Sequence, residues 1–199
     1  VGKARLMEGP AFNQVGFPHS DIGVVLARHF LEQGARRIRF ALRRAPQDFR
    51  AQQRAHGYTQ AMLEAGLRPD VEASPCDDEY EAGAQIIDRL ASEPADQRPQ
   101  AIIFSSDNMA VGAILHAPER RIQFPRDVAI AGFGDAAIAS RLRPSLTTIR
   151  PRPYEIGLKA AQVVMQLKNE QEASEHPAVH IVPCELIVRA SSRVGQRGS

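Results

Sequence analysis

The sequence predicts an α/β fold in which a parallel sheet is flanked by helices on both faces. Three observations carry this. Short apolar runs alternate with stretches whose apolar residues recur at helical spacing, the alternation of a parallel sheet joined by right-handed crossovers. Two of the runs, Ala101–Phe104 and Val128–Ala131, are apolar without interruption, as strands covered on both faces must be. The 199 residues are 43% hydrophobic and 24% charged, a globular balance, and no run approaches the ~18 apolar residues of a membrane helix.

The elements follow in chain order. Ser20 or Asp21 can cap a helix that runs to Gly34, with Ile22, Val25, Leu26, His29 and Phe30 on one stripe. Ile38–Leu42 reads as a strand. A longer helix spans Gln47 to Gly66, with Ala55, Tyr58, Ala61, Met62 and Ala65 on its buried face. Asp70–Cys76 is a weaker strand, and Glu79–Ser92 a helix with Tyr80, Gly83, Ala84, Ile87 and Ala91 facing inward. Glu93–Gln100 is a polar loop. Ala101–Phe104 then ends at Ser105-Ser106-Asp107, which supplies capping groups for a helix from Asn108 to about Ala117. After the strand Val128–Ala131 come a short strand Leu146–Ile149, a helix Tyr154–Lys168 and a last strand Ile181–Val188, in which Pro183 marks an edge or a crossing point. The tail after Ser191 should fray.

Charge and cysteine usage exclude several function classes. The 25 basic residues nearly balance 23 acidic ones, and the arginines are scattered in small groups rather than gathered in a nucleic-acid stripe. They read as solvated edges and helix ends. Cys76 and Cys184 stand far apart, which argues against a disulfide framework or zinc site and suits a reducing compartment. The N-terminus lacks the apolar core of a secretory signal. Histidines 19, 29, 56, 116, 176 and 180 show no metal-ligand spacing, and His29 reads as a satisfied core residue. No GxSxG, Walker, HExxH or GxGxxG motif is present, and Gly132-Phe133-Gly134-Asp135 imitates the last only weakly. A small hydrolase using Asp107 or Asp135 would lack a nucleophile–base pair, so the chain is expected to be no enzyme and to need no cofactor or metal.

In a parallel sheet, ligands bind beyond the carboxyl ends of the strands. That directs attention to Phe17–Ser20, Arg43–Arg54, Asp77–Tyr80, Ser105–Asp107 and Phe133–Asp135. Asp107 can be a helix cap, a ligand contact, or both. Arg54 can be a solvated helix arginine or a bidentate clamp on hydroxyls or a carboxylate.

The series GARRIRFAL, RAHGYTQAMLEAGL, AIIFSSDNMAVGAI, FPRDVAIAGFGD, RPSLTTIRPRPYEIGLKAA and CELIVRASS, in order from about Val15 to Ser192, resembles the effector-binding core of LacI/GalR transcriptional regulators, most of all gluconate-type repressors. The resemblance implies a periplasmic-binding-protein-like fold of type I: two α/β lobes joined by three crossovers, with a sugar or similar small molecule between them. Residues 1–19 would end the N-terminal lobe and make the first crossover. Residues 20–148 would form most of the C-terminal, effector-binding lobe, 149–177 a crossover and an N-terminal-lobe helix, and 178–199 the return strand and tail. The crossovers themselves would fall at Val15–Ser20, Ile149–Pro153 and Ala178–Pro183. The family's helix-turn-helix, its hinge and the first βα units have no counterpart in these residues, so the sequence is expected to be a fragment. The helix Tyr154–Lys168 has apolar residues on several sides and should need cover, from a second copy for instance.

Carried over by motif, Arg54 matches the family's effector-binding arginine and Phe133 the aromatic of GFDD. Gly134 replaces the first Asp of that motif and leaves Asp135. Ser106 stands where many members have Asn before the Asp matched by Asp107, Asp78 where several have a stacking aromatic, and Pro18 where VGFDN has Asp. Phe17, Arg50, Arg54, Asp78, Ser106, Asp107, Phe133 and Asp135 are the expected ligand-binding set. With no Trp and two positions changed, an anionic ligand such as a sugar acid suits Arg54, with Arg50 or Arg43 nearby, better than a neutral hexose or purine. The resemblance further implies a cytoplasmic homodimer, away from membranes, with Ile114, Ile138 and Leu142 as interface residues and operator DNA held through the N-terminal domain. A periplasmic sugar or solute receptor feeding an ABC transporter is the rival expectation.

Overall fold

The computed structural model describes residues 12–169 and 177–195. The expected start of the N-terminal lobe at residues 1–11, the segment 170–176 with His176, and the end of the tail at 196–199 lie outside the described residues. Contacts divide the chain into two units: Val1–Pro18 with Pro151–Glu185, and the larger His19–Arg150 with Leu186–Ser199.

The larger unit is built on strands β2 (Ile38–Arg43), β3 (Asp70–Ser74), β4 (Ala101–Phe104), β5 (Ala129–Phe133) and β6 (Thr147–Arg150). With β1 (Gln14–Gly16), β7 (Val179–Ile181) and β8 (Glu185–Ile187), they form two sheets, ordered β1-β7 and β3-β2-β4-β5-β6-β8. Every pair from β3 to β6 is parallel, so all these strands point their carboxyl ends the same way. Side-chain alternation sorts the helices onto two faces. Phe40 meets Tyr58 of helix α2 (Phe49–Glu64), with ring centroids 5.5 Å apart. Its neighbour Ala41 belongs instead to the core shared with helices α3 (Glu79–Ser92) and α4 (Asp107–His116). Helix α1 (His19–Glu32) packs on α2, and α3 packs on α4.

Glycines allow each helix pair to cross at backbone contact. A Cβ at Gly23 of α1 would lie 1.9 Å from the Arg54 carbonyl oxygen, and one at Gly57 of α2 1.8 Å from that of Ser20. The same reciprocity joins Gly83 to Met109 and Gly112 to Tyr80 across α3 and α4, both at 2.0 Å. No other residue type fits at these crossings.

Several expectations need correction. The last strand is two, β7 and β8, interrupted at Pro183, which has no N–H to continue a ladder. On α3 the buried stripe is Ala82, Gly83, Ile86, Ile87 and Leu90, whereas Tyr80 is exposed. The expectation gave too little weight to the bulkier Ile86 and Leu90, which share the core face with Ile87. Val25 of α1 is exposed, and Ala65 is the exposed C-cap of α2 rather than part of its buried face. Ser106, not Asp107, caps α4, its hydroxyl accepting from the Met109 amide. Ile114 and Leu142 spend their side chains in this unit's own core, which leaves Ile138, 46% exposed, as the expected interface residue with surface to offer.

The smaller unit contains β1 paired in parallel with β7 and helix α5 (Pro153–Asn169). Two three-residue strands cannot cover a helix apolar on several sides. Val163 is buried, while Tyr154, Leu158, Val164 and Met165 are exposed.

The crossing of α1 and α2 yields a direct prediction. Gly57→Ala should destabilise the protein by about 1–3 kcal/mol or more, because the added methyl meets backbone that cannot rotate away. Urea unfolding of the variant against the parent measures it.

Candidate ligand-binding site

The parallel strands deliver their following loops to one edge of the sheet, and α2 lays Arg54 across it. Arg54 is only 5% exposed, yet among the described residues no carboxylate pairs with it. Its Nη1 donates to His19 Nδ1 at 2.9 Å and its Nη2 to the Ser105 carbonyl at 2.9 Å. The guanidinium carbon sits 4.2 Å from the centre of the Phe133 ring, a cation–π contact. Its Nε is buried without a hydrogen-bond partner among the described residues. Burial pulls the Arg54 pKa down to about 10, against the opposing pull of Asp48, so the group stays charged at neutral pH.

His19 is shaped by this neighbour. To accept from Arg54, Nδ1 must carry its lone pair, which places the ring proton on Nε2. Burial first, and then the charge of Arg54, lowers the His19 pKa to about 4. A neutral imidazole can hold the arginine in place without opposing it.

Asp107 and Asp135, the carboxylates at the ends of β4 and β5, are closed by their own chain. Asp107, buried at the start of α4, accepts from Thr148 Oγ1 at 2.6 Å through Oδ1 and from the Ala136 amide at 2.7 Å through Oδ2. Burial raises its pKa while these two bonds resist. A Cβ at Gly132 would stand 2.3 Å from Asp107 Oδ1, so the carboxylate reaches the β5–β6 region only past a glycine. Asp135 takes Arg150 Nε at 2.5 Å and Arg189 Nη2 at 2.6 Å. Burial would raise its pKa, but the two guanidiniums hold it below the usual carboxylate range. Arg189 also donates to the Leu146 carbonyl at 2.7 Å, which ties β8 and its sequel to the loop before β6.

The structure thus brings Arg54, Ser106, Asp107, Phe133 and Asp135 to the same end of one sheet. Ser106 and Asp78 serve as N-caps of α4 and α3, Asp78 accepting from the Glu81 amide at 2.8 Å. Arg50 is exposed one turn before Arg54. Phe17, the remaining expected residue, belongs to the smaller unit. Sequence reasoning missed His19 and Arg189 as partners. His19 opens a helix directly after a strand and lay inside a segment already singled out, which was the available signal. Arg189 offered none, because its partner Asp135 is 54 residues away.

The profile of the periplasmic binding protein-like domain matches residues 27–192. The chain belongs to this family, in its LacI/GalR form. The LacI/GalR-type chain is 33% identical over 141 residues to the HTH-type transcriptional repressor CytR of Escherichia coli (strain K12), an alignment covering 70% of this chain and 40% of that protein. It is 37% identical over 116 residues to the ribose operon repressor of the same organism, covering 58% and 34%. Among solved structures, the transcription regulator GntR from Chromobacterium violaceum superposes with a TM-score of 0.78 at 31% identity, covering 94% of this chain and 68% of that one. The LacI/GalR-type chain spans 40% or less of the length of these two curated relatives.

The His19 contact predicts acid sensitivity. A histidine whose folded pKa lies below its unfolded value binds fewer protons when folded, so its contribution to stability is present above about pH 6.5 and lost as pH falls through about 4. In His19→Gln, whose amide oxygen can still accept from Arg54, stability should decline less over that window. Denaturant midpoints measured from pH 7 to 4 for both proteins check this.

Proposed function

We propose that the chain is the effector-sensing part of a transcriptional regulator, binding a small anionic molecule such as a sugar acid at Arg54. One observation carries this reading: among the described residues the buried guanidinium has two hydrogen-bond acceptors but no ion-paired carboxylate, Asp48 and Glu79 acting on it without a bond, while Asp107 and Asp135 are occupied by their own chain. Burying a charge without its partner is costly, and a ligand carboxylate would supply that partner in bidentate form. Phe133 offers an aromatic face beside it, and Arg50 a second positive charge one turn away. The names of the relatives support transcriptional control over the rival expectation of a transport receptor.

Effector binding would favour one relative orientation of two lobes and so bias how a paired DNA-binding domain, supplied by sequence outside this chain, sits on its operator. The regulator would act without catalysis, in the cytoplasm, as a homodimer. Leu115 of α4, 66% exposed, and Ile138 offer apolar surface for that dimer.

A thermal-shift screen against gluconate, glucose and adenosine tests the site. Gluconate should raise the melting temperature most, and Arg54→Ala should weaken its binding at least tenfold, about the loss of one charge-assisted hydrogen bond or more. Unchanged affinity in the variant would sink the reading. For the dimer, light scattering over a dilution series should show dissociation at higher concentration in Ile138→Asp than in the parent.

A further inference from the structure

The amino ends of the same strands build a second constellation. Because β3, β2 and β4 run parallel, the residues that precede them meet at the sheet edge opposite Arg54. Arg36 and Arg37 precede β2, Arg68 and Pro69 precede β3, and Gln97 and Pro99 precede β4. Together they line a cavity of about 400 Å³, within the size range of small-molecule sites.

The backbone around this cavity is held in place. Gln100 Oε1 accepts from the Arg36 amide at 2.8 Å and from the Arg37 amide at 3.1 Å, and the Gln100 amide donates to the Arg37 carbonyl at 2.7 Å. The nearby charges divide into two sets. Arg39 engages Asp70, Glu72 and Glu93 at 2.7–2.9 Å, so Asp70, the carboxylate that lines the cavity, already has an ion-pair partner. Arg98 donates to the Ala91 and Glu93 carbonyls. Arg36, Arg37 and Arg68 have no carboxylate partner among the described residues. Arg37 lends only its Nε, to the Arg98 carbonyl at 3.2 Å.

We propose that this cavity binds a small polyvalent anion of the phosphate-ester or diphosphate class, bridged by Arg36, Arg37 and Arg68. Three guanidiniums around one concavity repel one another, and an anion of two or more charges reverses that repulsion. Their planar donor forks match phosphate oxygens in pairs. The apolar floor of Ile38, Pro69 and Pro99 would take the organic part of an ester. The site is separate from Arg54, being at the other end of the strands.

Titration calorimetry of the 199-residue chain with inorganic pyrophosphate at low ionic strength tests this. The expected result is one saturable site, weakened at least about tenfold in Arg36→Ala/Arg68→Ala and unchanged in Arg54→Ala. Both substituted arginines are exposed, so the double variant should melt like the parent. Absence of saturable binding, equal binding by the double variant, or loss of binding in Arg54→Ala would each overturn the proposal. So would equally tight binding of a polyglutamate peptide, which would point to diffuse attraction by a charged surface rather than a shaped site.

Discussion

The contact between α1 and α2 at Gly23 and Gly57 sets the geometry on which the candidate site depends. Each glycine faces a carbonyl of the opposite helix, Arg54 for Gly23 and Ser20 for Gly57. The residues that receive the close approach are therefore the site arginine and the neighbour of His19. Backbone contact at this distance leaves little freedom to slide, so the arginine and its imidazole partner arrive in register. The 2.9 Å bond between them follows from a helix crossing, and the crossing follows from two missing side chains.

The electrostatics of the site rest on an unequal distribution of partners. Asp107 and Asp135 look, as residue types, like ligand acceptors. Each is instead closed by donors from its own chain, Asp107 by Thr148 and Ala136, Asp135 by Arg150 and Arg189. These bonds anchor the turn after β5, where Gly134 and Asp135 adopt positive φ of 132° and 50°. That turn holds Phe133 against Arg54. The carboxylates shape the site, and the arginine keeps the unmatched charge. The opposite sheet edge shows a related division, with Arg39 in contact with three carboxylates while, among the described residues, its neighbours Arg36, Arg37 and Arg68 on the turns pair with none.

Much of this was legible in the residues themselves. Ala101–Phe104 is the strand its uninterrupted apolar run requires, and α3 has the bounds its spacing implies. The buried face of α3 was legible too, since Ile86, Ile87 and Leu90 are its bulkiest aliphatic side chains and share one stripe, but the expectation followed Tyr80 and the small Ala84 and Ala91 instead. The role of Ser106 against Asp107 at the start of α4 was not legible. Both side chains can cap a helix, and the choice depended on Thr148 lying within reach of the aspartate.

By itself, the sequence determined the order of strands and helices, the parallel sheet, and the short segments at the carboxyl ends of the strands where a ligand would sit. Those features come from local patterns: apolar runs, helical periodicity and turn residues a few positions apart. The tertiary structure alone decided which polar side chains are occupied. Asp107 meets Thr148 across 41 residues and Asp135 meets Arg189 across 54, while among the described residues Arg54 pairs with no carboxylate. Hydrogen-bond satisfaction is a property of atoms brought together by folding, and no spacing along the chain records it.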